Sequence, residues 1–121
     1  TGPYIQYTYV RTKSVLEKVG YLPKLEEIKT ENLMDEQSLK LINIIYNFGD
    51  TLKQVVEKNE PSILARYLID LSKAYSSFYN ENKIINDDKS IQDARTYLTY
   101  ATGKVLKKGA YLLGMEMPDK M

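Results

Sequence analysis

Two residue types that most enzyme chemistry draws on are missing from this sequence. Among its 121 residues there is no cysteine and no histidine. The first absence removes disulfides, thiol nucleophiles and Cys-type zinc sites. The second removes imidazole acid–base work, the usual catalytic triads and most transition-metal sites. Tryptophan is absent too, and no apolar run approaches the roughly 18 to 20 residues of a membrane-spanning helix. No basic segment followed by an apolar stretch opens the chain, so a soluble, cytoplasmic protein with no membrane partner is expected. Glycine-rich phosphate loops, zinc-ligand spacings and calcium-loop patterns do not occur. Asp87 and Asp88 form a carboxylate pair, but adjacent residues in a polar loop do not face one another across a substrate. No catalytic residue, no metal ligand and no cofactor are therefore expected in this chain.

What remains is an ordinary globular composition, 43% hydrophobic and 27% charged, sized for one domain. Seventeen basic against sixteen acidic residues give a net charge of +1, which neither requires nor forbids a nucleic-acid partner. Eleven of the thirteen aromatic residues are tyrosine, whose flat face stacks and whose hydroxyl reaches water or a ligand. The chain starts Thr1-Gly2-Pro3 and runs straight into a patterned segment, which reads as a domain, residues 1–121, excised from something longer.

Helical periodicity accounts for nearly all of it. Ile5, Tyr9, Thr12, Leu16 and Val19 mark a first helix that Gly20 stops, and a charged connection with a short helical turn follows. A second helix is expected over Ser38 to Phe48 on Leu39, Leu41, Ile42, Ile45 and Tyr46, with Gly49 as its stop. Asp50-Thr51 is expected to cap a short third helix through Val55 and Val56. Pro61 opens a long fourth one, in which Leu64, Tyr67, Leu68, Leu71, Ala74, Tyr75 and Phe78 form a wide apolar stripe. Ser90 is expected to cap a fifth, with Asp93 in its first turn, running to about Leu113. Short connections favour sequential helices packed antiparallel, so the expected fold is an all-α antiparallel bundle of about five helices. A monomer is expected.

Binding chemistry is sought on faces that a core does not explain. At about 100° per residue, Tyr4, Tyr7, Arg11 and Lys18 fall together beside the apolar stripe of the first helix. Tyrosine faces that stack on unpaired bases, next to cations that pair with phosphates, are the combination used for single-stranded RNA. The same residues also suit a core edge padded by tyrosine stems with solvated cations. On the last helix Tyr100, Lys104, Lys107 and Tyr111 follow one another by three or four positions, and with Lys108 beside Lys107 they line one ridge. Tyr79, at the end of the fourth helix, is expected to be available, and Tyr75 to be core.

These segments carry a family resemblance. Gly2-Pro3-Tyr4-Ile5-Gln6-Tyr7 with Arg11, then Glu60-Pro61-Ser62-Ile63-Leu64-Ala65-Arg66-Tyr67-Leu68, then Phe78-Tyr79-Asn80, and finally Met117-Pro118-Asp119-Lys120-Met121 resemble the C-terminal part of bacterial arginyl-tRNA synthetases, a helical anticodon-binding domain named for an Asp-Ala-Leu-Arg motif. Asp93-Ala94-Arg95-Thr96 is the nearest counterpart of that tetrapeptide, Thr8 stands where the family often has Ala, and Tyr9 where it often has His. The resemblance implies recognition of the anticodon loop of arginine tRNA by Tyr4, Thr8, Tyr79 and Met121. Tyr7, Arg11, Tyr100, Lys104, Lys107 and Lys108 join them from the helical wheels. It also implies a parent ligase whose catalytic domain, with its ATP and magnesium, lies elsewhere in the longer chain and is a partner of this one. Every arginine codon has G in the middle, so such a reader specifies a central C and tolerates its neighbours. The alternative is a helical protein-interaction or structural domain with no RNA contact.

Overall fold

The computed structural model describes residues 2–121; Thr1 lies outside the described residues. Five helices make the fold: α1 Gly2–Val19, α2 Glu36–Tyr46, α3 Phe48–Lys58, α4 Pro61–Glu81 and α5 Lys89–Leu112. Two short 3-10 turns, Leu25–Glu27 and Thr30–Leu33, interrupt the connection between α1 and α2. Among the described residues there is no strand, and no helix is long and apolar enough to cross a membrane.

The long helices form where periodicity places them. All seven stripe residues of α4 are buried, and Pro61 stands in its first turn, where its missing N–H removes no helical bond. Gly20 ends α1 with φ of +84°, a conformation costly for any residue with a Cβ. The α2–α3 boundary falls elsewhere than expected. Asp35 caps α2 by accepting the Ser38 N–H, and the helix ends at Tyr46 rather than Phe48. Asn47 makes the turn: its N–H reaches back to the Asn43 and Ile44 carbonyls, and its carbonyl accepts from the Thr51 amide and hydroxyl. Gly49 and Asp50-Thr51 therefore lie inside α3, and it is Asn59, at φ of +52°, that stops that helix. Within α2 only Ser38 and Leu41 are buried, while Leu39 and Tyr46 face solvent.

Packing order also departs from a simple up-and-down series. α4 contacts each of the other four helices, α1 packs chiefly on α5, and α1 has no substantial contact with α2. The segment 20–35 is long enough to carry the chain across the bundle, so neighbours in sequence need not be neighbours in space. Glycines let α5 approach closely: a Cβ on Gly103 would sit 2.8 Å from the Thr12 hydroxyl, and one on Gly109 2.6 Å from Leu68 Cδ2.

The start of α5 differs from the expected Ser90 cap. Asp88 accepts the Ser90 and Ile91 amides, which leaves Asp93 free for tertiary work. Asp93 is buried and accepts a 2.6 Å hydrogen bond from the Tyr21 hydroxyl and a 2.8 Å one from Lys89 Nζ. Burial pushes its pKa up, but the bonds from Lys89 and Tyr21 and the Lys89 charge more than offset that, and the carboxyl titrates below its usual value. A lowered folded-state pKa gives stability that is present above the unfolded value of about 4 and lost as pH falls through the folded one. Asp93→Asn is thus expected to destabilise the domain at neutral pH, and its deficit relative to the wild type to shrink from about pH 4 downward. Urea denaturation at a series of pH values checks this; parallel pH profiles would show that the carboxylate charge contributes nothing.

Candidate nucleic-acid interface

α1 and α4 open between them a cleft of about 370 Å³, lined by Tyr4, Tyr7, Thr8, Val10, Arg11 and Ser76. Tyr4 is held by a 3.2 Å hydrogen bond between its hydroxyl and Ser76 Oγ, yet 37% of it stays exposed. Tyr7 is 62% exposed. The Arg11 guanidinium crosses to α4 and lies over the ring of Tyr79, 4.5 Å from its centroid. Tyr79, 36% exposed, rests in turn on Tyr75 with the ring centroids 6.2 Å apart. Tyr75 is fully buried and its hydroxyl is bonded to Thr99 Oγ1, so the partition between these two rings expected from the sequence is the one found. Burial raises the Tyr75 hydroxyl pKa, and the bond to Thr99 offsets only part of that rise.

Thr8 lines the same cleft with little of its own surface exposed. It is only 5% exposed, at the base of the cleft, and its hydroxyl donates to the Tyr4 carbonyl of its own helix. What Thr8 presents to the cleft is shape more than a free donor.

The basic ridge of α5 lies on the other flank of α1. Lys104 and Lys107 join Tyr9, Lys13, Leu16 and Tyr100 around a shallow groove between α1 and α5, which shares no residue with the α1/α4 cleft. Lys13 and Arg11 are two positions apart, about 200° around the helix. Lys104 Nζ stands over the half-buried Tyr100 ring at 5.5 Å, and Lys108 Nζ over the exposed Tyr111 ring at 6.0 Å. No carboxylate lies within ion-pair distance of Lys104, Lys107 or Lys108 among the described residues. The tyrosine cluster and the lysine cluster are therefore two surfaces.

The segment after α5 folds back along this second flank. Gly114, at φ of +75°, turns the chain; Met115 and Met117 pack on the core; Gln6 donates to the Glu116 carbonyl; and Lys13 Nζ pairs with Asp119 at 2.7 Å. Two of the three terminal methionines thus serve the core, and Met121, two residues beyond the Asp119 anchor, is exposed. Helical spacing could not show this strap, because residues 115–121 have no period; the signal that was there is Lys13 opposite an acid in the tail.

A five-helix bundle that presents tyrosine rings beside unpaired cations is a binding module in its anatomy. Residues 5–121 match the DALR anticodon binding domain, and the chain belongs to that family. Its relatives include the arginine–tRNA ligase of Halothermothrix orenii, 46% identical over 122 residues, and that of Streptococcus suis, 39% identical over 121. Each alignment takes in all of this chain and 21% of the relative, so the chain spans about a fifth of the length of the ligases it matches. The arginyl-tRNA synthetase structure from Thermus thermophilus superposes with a TM-score of 0.89 at 25% identity, and the one from Plasmodium falciparum with 0.82 at 28%, each over all of this chain and 21% of the other.

Separation of core from surface tyrosines predicts unequal costs. Tyr75→Ala should lower stability by about 3–5 kcal/mol, as for other large aromatic truncations, whereas Tyr79→Ala should cost about 1 kcal/mol or less. Chemical denaturation of the two variants checks the order; equal losses would return Tyr79 to the core.

Proposed function

We propose that this chain is the anticodon-reading module of an arginine–tRNA ligase and that the α1/α4 cleft takes the anticodon loop of an arginine tRNA. The observation that carries the reading is the convergence, in a member of an anticodon-binding family, of Tyr4, Tyr7 and Arg11 on one cleft, with the Tyr79 ring against the Arg11 guanidinium. Stacking on tyrosine is indifferent to base identity and is worth roughly 1–3 kcal/mol per base. It therefore suits the flanking positions, which vary among arginine anticodons. The invariant central C needs hydrogen bonds to its edge, for which we assign polar and backbone groups around Thr8, with Met121 as an apolar neighbour supplied by the tail. Lys104, Lys107 and Lys108, with Tyr100 beneath Lys104, lie outside the cleft and are assigned to backbone phosphates.

Ligation of arginine, with its ATP and magnesium, belongs in this reading to the catalytic domain of the longer chain. The described residues of this chain hold no group of three or more acidic, cysteine or histidine side chains placed for a metal ion, so no step of that chemistry is assigned to them. The relatives are nearly five times as long. The apolar groove of about 560 Å³ lined by Leu25, Ile28, Leu33, Ile42, Ile45 and Tyr46 is the surface we assign to that domain. A cytoplasmic monomer completes the reading.

An anticodon stem-loop of arginine tRNA should bind the chain about tenfold or more tightly than the same loop with its central C replaced, since the mismatch leaves a desolvated polar group unpaired. Titration of both loops under one salt condition checks this. Equal affinity would remove the specific reader, and no affinity for either would favour the structural alternative.

A further inference from the structure

Where a base would stack on Tyr79, the free chain already holds a planar cation. The Arg11 guanidinium covers the ring at 4.5 Å from its centroid. The ring beneath it is steadied by the buried Tyr75, tilted by 43° against it. Among the described residues the Arg11 side chain has no carboxylate within ion-pair distance and no hydrogen bond; its contact with Tyr79 is what positions it.

That contact is weak compared with what a nucleotide offers. A cation over the face of an exposed ring is worth roughly two- to fivefold in an equilibrium constant. A guanidinium–phosphate pair is charge-assisted and bidentate, and so is the stronger of the two. A base and a phosphate arriving together supply both halves of an exchange, the base taking the ring and the phosphate taking the guanidinium. On the reading of this cleft as an RNA site, we infer that Arg11 is a displaceable cover for Tyr79, which shields the ring in the free chain and moves to a backbone phosphate when a base stacks there. This makes Arg11 a selectivity residue. A ligand with an aromatic face but no phosphate must displace the cation without compensation, and a phosphate without a base leaves the ring uncovered to water.

The test uses the 121-residue chain and an arginine-tRNA anticodon stem-loop, with nuclear Overhauser contacts between the Arg11 side chain and the Tyr79 ring as the direct readout. These contacts are expected in the free chain, and at saturation should be replaced by contacts from the Tyr79 ring to a base. Arg11→Ala should lower the slope of log Kd against log salt by about 0.7 to 1 and weaken low-salt binding about fivefold, while Arg11→Lys, which keeps the charge, should keep the slope. Arg11–Tyr79 contacts that persist at saturation, or a wild-type salt slope in Arg11→Ala, would overturn the exchange and leave the RNA reading standing. Failure of the wild-type chain to bind the stem-loop would overturn both.

Discussion

The structure depends on the buried face of α4. From Leu64 to Phe78 its apolar positions are too wide a stripe for one partner, so all four other helices pack around it. Two tyrosines belong to that stripe, and each keeps its polar tip satisfied: Tyr67 donates to the Ile44 carbonyl at 2.6 Å, and Tyr75 bonds with Thr99. These bonds tie α4 to α2 and to α5. Tyr79 is one helical turn beyond Tyr75 and leans on it, so the position of the exposed ring is inherited from the core. The cleft is the edge of the same packing that holds the bundle together.

Close approach of the helices rests on small and hydroxyl-bearing residues more than on large ones. Thr12, Thr99, Thr102 and Ser72 are buried, and each donates its hydroxyl to a carbonyl of its own helix. Apart from Thr99, which also meets the Tyr75 hydroxyl, a hydroxyl satisfied this way needs no partner across the interface and behaves there as a small side chain. Gly103 against Thr12 and Gly109 against Leu68 then let α5 lie flat on α1 and α4. With that inner face committed, the lysines at 104, 107 and 108 are left on the outside.

Which parts of this are legible in a sequence follows from the range of the interactions concerned. α1 and α4 are legible because a 3.6-residue period is local, and every stripe position assigned in α4 is buried. The α2–α3 turn is not, because Asn47 turns the chain with ordinary backbone angles, whereas Gly49, the conspicuous residue, is merely tolerated in a first turn. Ser90 resembles a cap as well as Asp88 does; only the geometry of the loop decides between them. The largest gap concerns the site. A wheel sorts residues around one helix but says nothing about which neighbour each flank meets, so the tyrosines facing α4 and the lysines beside α1 read as one surface when they are two.

Net charge conceals the same distinction. Asp35 and Asp88 cap helices, Asp93 is enclosed by Lys89 and Tyr21, and Asp119 holds the tail on Lys13. Each of these carboxylates spends its charge on folding, and each of the two ion pairs takes one cation with it. Arg11, Lys104, Lys107 and Lys108 have no such partner among the described residues. Their positive potential is therefore directed outward, although the chain as a whole carries only +1. A binding surface for an anion needs unpaired cations close together, and pairing inside the fold decides where those are.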